Sequence, residues 1–108
     1  MSVIKRPATL EAFRDLVTQA LFEVEELRLS IEYDEEFMEE ALGFVEPLEK
    51  ALRELQDDLN SGNYQFGGEA LSYMPMIERQ PNVLLPFKTL LRQINDTHIK
   101  GLQKDEED

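Results

Sequence analysis

The feature that most constrains this chain is a spacing. Leu10, Phe13, Leu16, Val17, Ala20, Leu21, Val24, Leu27 and Ile31 recur at three- and four-residue steps. At about 100° per residue they fall on one stripe of a helix, with Arg14, Asp15, Thr18, Gln19, Glu25 and Glu26 on the other side. Thr9 stands where an N-cap belongs, and Glu11 puts a negative charge in the first turn, where the helix dipole favours it. A helix is expected from about residue 9 to about residue 31. Phe22, Leu29 and Tyr33 stand off the stripe, seven and then four residues apart. A second apolar line means that two sides of the helix are covered, either by the third quarter of the chain or by another molecule.

A second stripe follows: Phe37, Ala41, Phe44, Leu48, Leu52, Leu55 and Leu59, widened by Met38, Val45 and Ala51. Asp34 can cap this helix, and Glu35 and Glu36 suit its first turn. Pro47 lies inside the pattern, where it removes one backbone bond and crowds the carbonyl of Gly43. Because the stripe keeps its phase across Pro47, one kinked helix is expected instead of two. Gly62 closes it by taking a left-handed conformation.

Residues 63–82 are less regular. Gly67 and Gly68 mark a turn, "EALSYM" reads as a short helix stopped near Pro75, and Pro81 marks a further break. A last helix begins between Asn82 and Pro86, with Val83, Phe87, Leu90, Leu91, Ile94 and His98 facing inward, and Gly101 ends it. There is no strand alternation of useful length and no internal repeat. The expected architecture is all-α: a three-to-four-helix bundle built on a long antiparallel helical hairpin. It forms a single helical domain over residues 1–102, followed by an acidic disordered tail over 103–108.

Charge narrows the functions open to such a bundle. The chain carries 23 acidic and 11 basic residues, a formal net charge of −12. That field repels phosphate backbones and anionic lipid surfaces, and the basic residues are scattered, so no direct nucleic-acid binding and no membrane association are expected. The densest apolar run, "VLLPF", is too short to span a bilayer, and no signal-peptide core follows Lys5 and Arg6. With no cysteine in the chain, a disulfide framework and a thiol nucleophile are excluded. A cytoplasmic protein is the expectation.

The stretch "EYDEEFMEEALGFVEPLEK" is the densest in carboxylates and tests the chemistry the chain could perform. Glu35, Glu39 and Glu46 lie opposite the inner stripe, and Glu36 and Glu40 lie on its flank. A helix-bundle di-iron site needs inward carboxylates with Glu-x-x-His pairs, whereas the residue three before the one histidine, His98, is Asn95. General acid–base work needs two carboxylates in different shielded environments, and these share one open face, where Glu46 can pair with Lys50 and Glu49 with Arg53. A divalent-cation site at these residues lacks the oxygen-rich loop and glycine turn of a calcium hand. In "NDTHIK", Asp96 and His98 are two apart on a helix and do not face each other. His98 reads as a buried or half-buried structural residue near a helix C-terminus, where its charged form is favoured. "GNYQFGGE" mimics a phosphate loop only in its outer glycines, since Gly68 and Glu69 replace its Lys and Ser/Thr. No catalytic residue, no metal site and no cofactor are expected.

What remains is apolar. Tyr64, Phe66, Tyr73, Met74, Met76 and Ile77 crowd one short segment, which either lids the open end of the hairpin or meets a partner. The function expected is a small acidic protein-interaction domain: an adaptor, a regulator or a secretion-chaperone-like binder. Its contact would join the Tyr64–Ile77 segment to the Phe22, Leu29 and Tyr33 line. Carboxylates around that contact would steer a basic protein partner, and a homodimer through the same surface is the nearest variant. The alternative is an acidic mimic of nucleic acid that inhibits a DNA-binding protein through the acidic face of Glu35, Glu36, Glu39, Glu40 and Glu46.

Overall fold

A computed structural model describes residues 6–32, 38–80 and 85–103. Within them the chain forms α1 (Leu10–Glu32), α2 (Met38–Ser61), α3 (Met74–Glu78) and α4 (Lys88–Lys100), with no strand. The fold is a helical bundle.

The capping chemistry read from the sequence sets the start of α1. The Thr9 hydroxyl accepts the amide of Ala12 at 3.0 Å and the Thr9 carbonyl accepts that of Phe13 at 3.0 Å, so two first-turn donors are satisfied. From there Phe13, Val17, Ala20, Leu21, Val24 and Ile31 turn inward and are buried. Leu10, at the first helical position, is exposed.

One continuous helix, α2, passes through Pro47, so the phase of its stripe carries across the proline. It buries Phe44, Val45, Leu48, Leu52, Leu55 and Leu59. The cap expected at Asp34 lies outside the described residues. At the other end Gly62 takes a φ of 81°, and the amides of Asn63 and Tyr64 both reach the carbonyl of Asp58. Arg14 bonds Asn60, Arg53 reaches Glu25 and Arg28 bonds Glu49. Numbers thus fall along α2 as they rise along α1, and the two helices run in opposite senses.

The short helix departs from expectation. It starts at Met74 and carries Pro75 within its first turn, instead of ending there. The reason is positional: a proline in the first turn loses no hydrogen bond, because the first amides of a helix have no intrahelical partner. The "EALSY" residues before it are bends and turns. Tyr73 and Ile77 from this region enter the core.

Pro86 likewise precedes α4 instead of sitting inside it; the N-cap is Phe87. Leu85, Phe87, Leu91, Ile94 and Thr97 are buried. Thr97 tolerates burial because its hydroxyl donates to the Gln93 carbonyl at 2.8 Å. Gly101 closes the helix with a φ of 86°, its amide on the Thr97 carbonyl. α4 packs on α1 and α3.

Gln103, the first residue of the expected tail, is bonded to the N-terminal segment. The Gln103 amide donates to the Pro7 carbonyl at 2.8 Å, and Arg6 donates to the Gly101 carbonyl at 3.1 Å. Residues 104–108 lie outside the described residues.

Candidate functional site

The segment 63–71 is held on α4 by main-chain and side-chain bonds from three points. The Gly67 amide donates to the His98 carbonyl at 2.6 Å, the Leu71 amide donates to Asn95 Oδ1 at 2.7 Å, and the Tyr64 hydroxyl stands 2.6 Å from His98 Nδ1. Gly67 and Gly68 make this crossing possible, since both carry φ above 90°, where a side chain is strained. The Tyr64 and Phe66 rings then stack against Phe13, at centroid distances of 5.6 and 5.4 Å, and against each other edge-on at 4.9 Å.

These contacts revise the expected partner surface. Tyr73 and Ile77 are buried, and Tyr64, Phe66, Met74 and Met76 pack half-buried against the core. All six pack on or within the core, as a lid over the open end of the bundle would. A chain of this size has few large side chains to spare from its core. The Tyr73 hydroxyl is satisfied inside by the Leu91 carbonyl at 2.7 Å. Burial pushes the Tyr64 and Tyr73 phenols well above their ordinary range.

Phe22 and Leu29 have the opposite fate. They are 55% and 54% exposed, so the third quarter of the chain does not cover them. Taking Phe13 as zero, their positions lie at about 160–180° on α1, opposite the core stripe. Asp15, Thr18, Glu25 and Glu26 share that side and are exposed. Tyr33, the third member of the line, lies outside the described residues.

Of the acidic face, Glu46 is exposed on α2. Glu35, Glu36 and the side chains of Glu39 and Glu40 lie outside the described residues. The expected Glu49–Arg53 pair forms at 2.9 Å, and Glu49 also bonds Arg28 of α1. These partners, the Arg53 hydrogen bond foremost, hold the Glu49 carboxyl below its usual range. Among the described residues no ion pair joins Glu46 to Lys50, and no group of three or more His, Asp or Glu side chains is placed to hold a metal ion.

His98 is half-buried, as its position suggested, but burial lowers its pKa from the ordinary imidazole value, so the charged form expected at the helix C-terminus is disfavoured. With the ring proton on Nε2, Nδ1 accepts from the Tyr64 hydroxyl. Nothing in the sequence spacing marked this pairing, because the two residues are 34 positions apart. Asn95 was equally hidden: its value lies in one carbonyl oxygen aimed at a loop amide.

No family model matches the chain, and neither a curated protein nor a solved structure shows significant similarity to it. No helix among the described residues is long and apolar enough to cross a membrane.

Proposed function

We propose that this chain is a small, acidic, non-catalytic interaction domain of the cytoplasm. In this reading it binds a protein partner through the outer face of α1. The observation that carries the reading is the exposure of Phe22 and Leu29, two large apolar side chains seven positions apart on a helix whose inner stripe is already complete. Two turns of helix, about 10.5 Å, separate them, a spacing suited to another amphipathic element laid along α1. Among the described residues the carboxylates of Asp15 and Glu26 flank them without an ion-pair partner, while Glu25 is engaged by Arg53. A partner with an apolar stripe edged by Lys or Arg complements this face. A second copy of the chain fits less well, since it brings the same carboxylates against each other and a net charge of −12 to each side.

Charge mimicry of nucleic acid draws less support. Lys50 and Arg53 interrupt the acidic residues of α2, and Arg53 and Arg28 neutralise Glu49. The readings separate in one experiment: affinity capture from lysate with the native chain and with a Phe22→Asp/Leu29→Asp variant, at low and high salt. The proposed contact predicts a partner retained by the native chain at high salt and lost by the variant. A partner bound equally by both forms sinks it. Mimicry predicts loss with salt and with Glu→Gln changes at positions 35, 36, 39 and 40, regardless of Phe22 and Leu29. Sedimentation of the purified chain shows whether the same face joins two copies.

A further inference from the structure

A concavity of about 260 Å³ is built without any residue of α1. Leu55, Leu71 and Tyr73 line it, together with Glu54 and Asp58 of α2, one turn apart, and Tyr64 and His98. The segment 63–73, pinned to α4 by Asn95 and His98, forms its wall.

The electrostatics of this cavity are one-sided. Among the described residues neither Glu54 nor Asp58 has an ion-pair partner, and no Lys or Arg lines the space. The nearest guanidinium in sequence, that of Arg53, is taken by Glu49 and Glu25. His98 does not offset the carboxylates at neutral pH, because burial favours its uncharged ring. Both phenols stay neutral for the same reason. A concave space with aromatic walls and two uncompensated negative charges concentrates a field that draws cations.

We propose that this cavity binds the guanidinium of an arginine side chain presented by a protein partner. The Glu54 and Asp58 carboxylates accept its N–H groups, and the half-buried Tyr64 ring borders its plane. Arginine suits the site better than lysine. Its planar fork offers five donors to acceptors spread around a rim, where the side-chain amides of Asn63 and Gln65 add further oxygens. It also stacks on aromatic rings, which a compact, strongly hydrated ammonium does less readily. The site stands apart from the outer face of α1, and neither reading depends on the other.

The test is a titration of the full chain with N-acetyl-arginine methylamide, followed by amide and imidazole NMR shifts. The expected result is saturable change at Tyr64, Ser72, Tyr73 and His98, with half-saturation at roughly millimolar concentration for so small a probe. The uncharged citrulline analogue gives no such change, and the lysine analogue binds more weakly. Glu54→Gln with Asp58→Asn weakens arginine binding about tenfold or more while leaving the melting temperature in place, since both side chains are exposed. Shifts that never saturate, a citrulline or lysine analogue that binds as well as arginine, or a double variant that binds unchanged would each overturn the assignment.

Discussion

The Tyr64 hydroxyl lies 2.6 Å from His98 Nδ1, and this single contact joins the loop after α2 to the last turn of α4. Together with the Gly67 amide on the His98 carbonyl, it makes His98 a two-ended clasp, one end side chain and the other main chain. Protonation reverses the side-chain end, with Nδ1–H then donating to the Tyr64 hydroxyl oxygen.

Burial holds the His98 pKa below the ordinary imidazole value, so the fold prefers the neutral ring. In the unfolded chain the ring takes a proton near pH ~6.5. This preference stabilises the fold fully above that pH and is lost as the pH falls through the lower folded pKa. The thermal midpoint should therefore decline between about pH 7 and pH 5, a step that His98→Gln removes. Tyr64→Phe should cost about 1 kcal/mol at pH 7 by leaving Nδ1 without its donor. A midpoint flat across this range in the native chain would contradict the preference of the buried ring for its neutral form.

Glu49 works on a different scale of pH. Its carboxylate bonds Arg53 on its own helix and Arg28 on α1, and its pKa is lowered. The stability it contributes is present above the ordinary carboxyl value of about 4.3 and is lost as the pH falls through its lower folded value. Glu49→Gln should cost up to about 1 kcal/mol in low salt, less as salt is added, because Arg53 is largely exposed. Urea midpoints at two ionic strengths measure the difference.

The two apolar sets of the chain should respond in opposite ways to the same kind of change. Phe22→Ser and Leu29→Ser leave the helix without losing a packed neighbour, so each should alter stability by less than about 0.5 kcal/mol. Leu52→Ala or Ile77→Ala opens a cavity around a side chain with no exposure and should cost about 2–5 kcal/mol. Chemical denaturation of the four variants gives the comparison.

Two glycines should likewise diverge. Gly43 lies within α2 at an ordinary helical φ, and a Cβ built there meets nothing within 4 Å. Gly43→Ala should raise stability by about 0.5–1 kcal/mol by restricting the unfolded chain. Gly101 has equal space but a φ of 86° with ψ −173°, a region nearly reserved for glycine. Gly101→Ala should lower stability by about 1 kcal/mol or more. A thermal shift of the same sign in both would refute this account.

Periodicity made the long helices legible, because a stripe repeated over many turns has one geometric solution. The Thr9 cap and the glycines at 62 and 101 were legible for a related reason: each performs a local task that few residue types can do. Pro75 was ambiguous, since a proline can end one helix or open the next, and only the placement of Tyr73 and Ile77 in the core decides between them. The loop that carries Tyr64, Gly67 and Leu71 was opaque. Its attachment to Asn95 and His98 crosses tens of residues and leaves no repeating trace. The outer face of α1 could be seen as a second apolar line, but whether the chain itself covered it depended on where that loop goes. Once the loop is spent on Phe13 and α4, nothing from it is left to reach Phe22.

The stitching of Gln103 to Pro7 and of Arg6 to Gly101 has a practical consequence. Two fluorophores attached near those positions would sit side by side in the native state, giving strong energy transfer. Cysteines introduced there would be the sole thiols in the chain, so labelling would be clean. The resulting sensor would register the peeling of this seam separately from the melting of the α1–α2 core.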